Sequence, residues 1–173
     1  MLAPSPTFPP NLVKTAWSRR ALLRAMALLG GMTLAPRAAQ ARDYMSASEV
    51  LDVIDRLAGD VDAALFAIAN AVPGARPFAS SVRADHVRER ADRDAIRVRL
   101  RLPAARPGVP AAHASTSLDA LRSLQQELVH AHAEGLPALH DAVAVQTLAR
   151  DMVEAARRLT VIDLWIELEA ARG

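Results

Sequence analysis

The 173-residue chain contains no cysteine. That absence removes thiol nucleophiles, disulfides, iron–sulfur clusters, zinc–thiolate sites and thioether-linked haem together. It is compatible with an oxidising compartment. Aromatic residues are scarce: after residue 41 there are Tyr44, Phe66, Phe78 and Trp165. Sugar and nucleobase pockets lined by stacked rings are therefore not expected. Glycine is rare, and no glycine-rich loop of the kind that cradles phosphate occurs. No stretch alternates apolar and polar residues as a half-buried strand would. Nucleophile-elbow and His-Glu-x-x-His patterns are missing as well.

Long apolar runs are also absent. The most apolar stretch, Ala21 to Ala35, carries Arg24 and the pair Gly30-Gly31. It falls short of the roughly 20 apolar residues of a spanning helix. Its flanks give it another meaning. Ser18-Arg19-Arg20 precedes it, Leu22, Leu23 and Arg24 open it, and Ala38-Ala39-Gln40-Ala41 follows it. A basic flank, a short apolar region and a small-x-small ending make up a secretory signal. The paired arginines make residues 14–41 resemble a twin-arginine export signal of bacteria. In that pattern Leu22 stands where phenylalanine is usual and Arg24 where lysine is. The resemblance implies passage through the twin-arginine translocase in the folded state, with cleavage after Ala41 and Ala39 and Ala41 as the small residues. It further implies residence in the periplasm, or tethering at the membrane if the signal stays uncut. Folded export also raises the prospect of a bound cofactor or a protein partner.

The leader holds five of the 21 basic residues and none of the 19 acidic ones, so residues 42–173 carry a net charge of −3. The concentrated basic face that nucleic-acid binding requires is not there. Those 132 residues suit one domain with its own core.

The remainder is rich in Ala, Leu and Arg, good helix formers, and divides into four helical segments. The first spans about 47–71, with Ser46 or Ser48 as its cap and Glu49 in its first turn. Ile54, Leu57, Val61, Ala64 and Ile68 form its apolar seam, and Val72-Pro73-Gly74 ends it. The second spans about 77–102. At 100° per residue, Phe78, Val82, Ile96 and Leu100 share a face with Asp85, His86, Glu89 and Arg93, and Ala84, Val87, Ala91, Ala95 and Val98 lie nearly opposite. The third runs from about Ser115 to Gly135, with Leu118, Leu121, Leu124, Leu128 and His132 on one side. The fourth starts near Pro137. Its seam is Val145, Leu148, Met152, Ala155, Leu159, Ile162 and Ile166. The simplest packing is an all-α, antiparallel, up-down-up-down four-helix bundle.

Two places could carry function. In that topology the start of helix two shares an end with the close of helix three and the start of helix four, so His86, Glu89, His132 and His140 converge. Imidazoles and carboxylates on facing helices are how bundles hold transition metals. The competing expectation is structural: Asp85-Glu89-Arg93, Arg88-Asp92 and Arg90-Asp94 are spaced for ion pairs along the helix surface. Glu127-x-x-His130 has the spacing of ferritin-like di-iron bundles, but its wheel position points to solvent. The second place is the end of helix four, where Ile162, Trp165, Ile166 and Leu168 could dock on another protein. The leading expectation is a non-catalytic accessory or binding subunit without a cofactor. The alternative is a metal-binding bundle.

Overall fold

The computed structural model describes residues 46–105 and 117–171. The export-signal residues Ser18, Arg19, Arg20, Leu22, Leu23, Arg24, Ala39 and Ala41 lie outside them. The described residues form an all-α four-helix bundle without strands: α1 (Ala47–Ala71), α2 (Arg76–Arg99), α3 (Leu118–Gly135) and α4 (Ala142–Ala170). Short 3₁₀ turns at Pro73–Ala75 and Leu136–Ala138 follow α1 and α3.

Local chemistry explains the ends. Ser46 caps α1 in a reciprocal box: its hydroxyl accepts from the Glu49 backbone N–H at 3.3 Å, and the Glu49 carboxylate accepts from the Ser46 N–H at 2.7 Å. At the end of α2, Leu102 N–H donates to Arg97 O at 2.8 Å and Arg101 N–H to Val98 O at 3.2 Å. This is a Schellman closure, and it puts Arg101 in the left-handed region with φ 54°. Pro137 falls in the 3₁₀ turn after α3 rather than in the first turn of α4. The cap of α4 is Asp141, whose carboxylate accepts from Ala144 N–H at 2.9 Å and from Arg99 Nε at 2.7 Å. One side chain thus starts α4 and ties the last turn of α2 to it.

Helix α1 supplies the widest apolar face. Val50, Leu51, Ile54, Leu57, Ala58, Val61, Ala64, Leu65, Ile68 and Ala69 are all buried. It packs mainly on α3 and less on α2, while α3 packs equally on α4. The α2–α4 contact is the thinnest. Around the bundle the order is α1, α2, α4, α3.

The connectivity is not up-down-up-down. The close of α3 meets the start of α1: a Cβ on Gly135 would overlap Val50 Cγ1 and lie 3.4 Å from Leu148 Cδ2 in α4. At the same end Arg99 reaches Asp141, and Arg97 reaches Asp52 at 3.0 Å. At the other end Arg122, early in α3, pairs with Asp163, late in α4, at 2.7 Å. Helices α1 and α4 therefore run one way and α2 and α3 the other. The close of α2 and the start of α3 therefore lie at opposite ends of the bundle. This is the one-crossover class of connection, which ferritin-like bundles also use. The connection from Leu100 to Ser117 is longer than the two to eight residues that usually join antiparallel neighbours.

Candidate functional site

The buried face of α2 is the polar one. Val82, His86, Glu89, Arg93, Ile96 and Arg97 point inward. The ion-pair spacings along α2 suggested a solvated face, but the partners lie across the bundle. Arg93 is 1% exposed. Its Nε donates to Asp55 Oδ1 of α1 at 2.8 Å, and its Nη1 lies 4.0 Å from Asp151 Oδ2 of α4. Arg97 Nη2 donates to the other Asp55 oxygen at 2.9 Å. One turn away, Glu89 receives the Arg158 guanidinium of α4 through both of its oxygens, and Asp85 lies 3.7 Å from the same group. Further along, His86 Nδ1 donates to Asp62 of α1 at 2.7 Å. Bringing such charges out of water costs several kcal/mol per ion unless each finds an opposite partner. Here Arg93, Arg97 and Arg158 face Asp55, Asp151, Glu89 and Asp85.

Helix α3 adds neutral groups to this layer. His132 is fully buried, and its Nδ1 donates to Leu128 O at 2.7 Å. Burial pushes its pKa down to about 4, and the cations Arg93 and Arg158 push the same way, against the Leu128 hydrogen bond and Glu89. Gln125 Nε2 donates to Ala155 O of α4 at 2.9 Å. Asp151 is pushed the other way. Burial first, and the nearby Glu89 second, raise its carboxyl to about 6, although Arg150 donates to it at 3.1 Å and Arg93 stands near. A neutral imidazole and an easily protonated carboxyl thus flank the Arg93 guanidinium. In a bundle this central layer is where a metal would sit. The chain places a cation of its own there.

The expected metal ligands are not assembled. His86 is committed to Asp62 and Glu89 to Arg158, while His132 bonds its own helix. His140 is exposed in the short link before α4, by the end of the bundle that holds the close of α2. The reversed course of α3 accounts for part of this, since it takes the close of α3 and the start of α4 to the end of the bundle that holds the close of α2, away from His86. Among the described residues no group of three or more His, Cys, Asp or Glu side chains is arranged to hold a metal ion. Glu127 and His130 are exposed, and His130 pairs with Glu134 at 3.0 Å.

The end of α4 also differs from expectation. Ile162 is 1% and Trp165 6% exposed, so both belong to the core. Ile166 is half-buried, and Leu168 is exposed together with Leu164. The Trp165 anchor is thus used inside the bundle.

Sequence reasoning passed over Asp55, Gln125, Asp151 and Arg158. Asp151 and Arg158 interrupt the buried side of α4 seven residues apart, as Glu89 and Arg93 interrupt that of α2. That shared interruption was the available signal.

Fold and site together define an all-α four-helix bundle with a charge-paired central layer. No protein family, curated protein or solved structure matches the chain.

Proposed function

We propose that the protein is a non-catalytic accessory or binding subunit of a larger complex, exported by the twin-arginine route to the periplasm. The leader in residues 14–41 supports the address. One observation carries the non-catalytic assignment: the buried ionisable side chains of α2 are engaged with partners across the bundle. Asp55 holds Arg93 and Arg97, Glu89 holds Arg158, and Asp62 holds His86. Groups used in this way attach α2 to the bundle and are not poised to exchange a proton with a substrate or to bind a metal. The exposed apolar residues Leu164 and Leu168 near the end of α4 offer the place for a partner protein. Among the described residues no helix is long and apolar enough to cross a membrane.

The test is purification from the periplasm of the producing bacterium at native expression level. Bound metal, native mass and the N-terminal residue are then measured on one sample. The expected result is a chain beginning at Arg42, without stoichiometric metal, in a complex with a second protein. A Leu164→Glu/Leu168→Glu variant should leave that complex while keeping its helical signal. Recovery free of any second protein refutes the accessory role. One equivalent of a transition metal refutes the non-catalytic assignment and restores the histidines as ligands.

A further inference from the structure

Helix α2 turns His86, Glu89, Arg93 and Arg97 inward and carries an apolar stripe on its outer face. Ala84, Val87, Ala91, Ala95 and Val98 are all exposed, Val87 at 65% and Val98 at 80%. They follow one another at spacings of three and four residues, so they form one stripe along about four turns. The neighbours of α2, which are α1 and α4, cover its other side. Burying hydrocarbon and exposing charge is the usual division on a helix. Here a stripe of hydrocarbon lies on the solvent side, flanked by the exposed Arg83, Arg90 and Asp94 on one side and Arg88 and Arg99 on the other.

We propose that this face pairs with the same face of a second copy, antiparallel, about a two-fold axis at Ala91. The order of residues along the stripe is what selects this occupant. Read from Ala91 in both directions it is self-complementary: Ala84 of one copy meets Val98 of the other, Val87 meets Ala95, and Ala91 meets itself. Each layer then combines a small side chain with a larger or equal one, and the helix axes can approach to about 8 Å. A parallel pairing would set Val98 against Val98 and leave Ala84 against Ala84, with uneven layers.

The flanking charges agree. Arg90 and Asp94 lie on the same side of the stripe and are exposed. In the antiparallel pair Arg90 of each copy lies beside Asp94 of the other, twice by symmetry. In a parallel pair the opposite flanks of the stripe would meet, so Arg90 would face Arg88 and Asp92 of the other copy instead. An interface that repeats itself under a two-fold axis is the commonest way for identical chains to associate. Five small and medium side chains per copy make a modest contact against the 1,200–2,000 Å² of a typical stable interface, about 1,600 Å² on average. The dimer therefore dissociates on dilution. This inference uses a different face from the partner site near the end of α4 and does not depend on the export route.

The absence of cysteine gives a clean test. Single variants Ala91→Cys and Ala84→Cys are placed on exposed positions and oxidised with diamide, which takes up the two electrons and two protons of each new disulfide. Disulfides need Cα atoms within about 7 Å. Ala91→Cys, on the axis, should form a covalent dimer at least about tenfold faster than Ala84→Cys, whose counterpart would be some 20 Å away at about 1.5 Å per residue. Ala84→Cys mixed with Val98→Cys should form a mixed dimer readily. Sedimentation of the wild-type protein should show a concentration-dependent dimer that Val87→Glu abolishes with the helical signal unchanged. Equal cross-linking of the two single variants overturns the antiparallel arrangement. A monomer at all concentrations up to about 1 mM, the range of weak affinities, overturns the interface altogether. Association only with a different protein through this face does so too. A dimer without any second protein supports this inference while refuting the accessory role, so the two outcomes are distinguishable.

Discussion

The buried pair His132 and Asp151 leads to a prediction about acid stability. The slope of unfolding free energy with pH follows the difference in bound protons between unfolded and folded chains. In the unfolded chain His132 titrates near 6.5, while in the fold its pKa is about 4. Between those values the unfolded chain holds a proton that the folded one lacks, so this residue makes stability rise with pH. Asp151 titrates near 3.8 unfolded and about 6 folded. Between those values the folded chain holds the extra proton, so this residue makes stability fall as pH rises. The two windows overlap from about pH 4 to 6, and the slopes oppose. Each slope approaches about 1.4 kcal/mol per pH unit for one proton.

In the wild-type protein these contributions largely cancel, and single substitutions uncover them. Asp151→Asn leaves His132 unopposed: relative to wild type, its stability should rise from pH 4 to 6 at up to about 1.4 kcal/mol per unit. His132→Asn, which keeps a donor for Leu128 O, should show the opposite trend over the same range. The double variant should run parallel to wild type. The assay is urea unfolding at half-unit pH steps from 4 to 7.5, read as differences from wild type so that the common titrations drop out. If both single variants run parallel to wild type, then His132 does not stay neutral and Asp151 does not hold a proton in the fold, and the electrostatic account of the central layer fails.

Three further substitutions probe the bundle. Arg93→Leu removes the cation between Asp55 and Asp151 and should cost about 3–5 kcal/mol at pH 7, measured by urea unfolding, with part of the loss recovered below pH 6 as Asp151 takes up a proton. Gly135→Ala drives a Cβ into Val50 and should cost about 1–3 kcal/mol; a thermodynamic cycle with Val50→Ala should show the double variant costing less than the sum of the singles. Arg101→Gly should stabilise the protein by about 1 kcal/mol, since φ 54° at that position strains any side-chain-bearing residue, and a rise in melting temperature would check it.

The helices were legible because their ends carry chemistry of their own. Ser46 or Ser48 ahead of Glu49 brackets the start of α1, and Ser46 is the cap; the wheel of α2 gathers Val82, His86, Glu89, Arg93 and Ile96 on the side that is buried. What that side does was not legible from α2 alone. Its charges find partners on α1 and α4, and partners 38 to 69 residues away, such as Asp55 for Arg93 and Arg158 for Glu89, leave no mark in local spacing. Asp55 and Asp62 of α1 lie beside its apolar seam, and nothing in the local spacing marks them as partners for α2. The direction of α3 depends on the path between Leu100 and Ser117, and local periodicity is blind to direction. Length was the one hint, since a simple hairpin would not need so long a connection. Trp165 misled for a related reason: the end of α4 is apolar on several faces, and which of them is covered depends on where α3 begins.

The division of labour between α2 and the other helices has a consequence for breathing motions. Of the apolar side chains of α2, only Val82 and Ile96 are fully buried, while α1, α3 and α4 share a hydrocarbon interior among themselves. Opening of α2 alone therefore wets mainly carboxylates and guanidinium groups. Such an event exposes little apolar area, so it carries a small heat-capacity change and a weak dependence on urea. Added salt, which screens the separating charges, should promote it. In native-state hydrogen exchange the amides of α2 should form a separate low-energy unit that opens ahead of α1, α3 and α4.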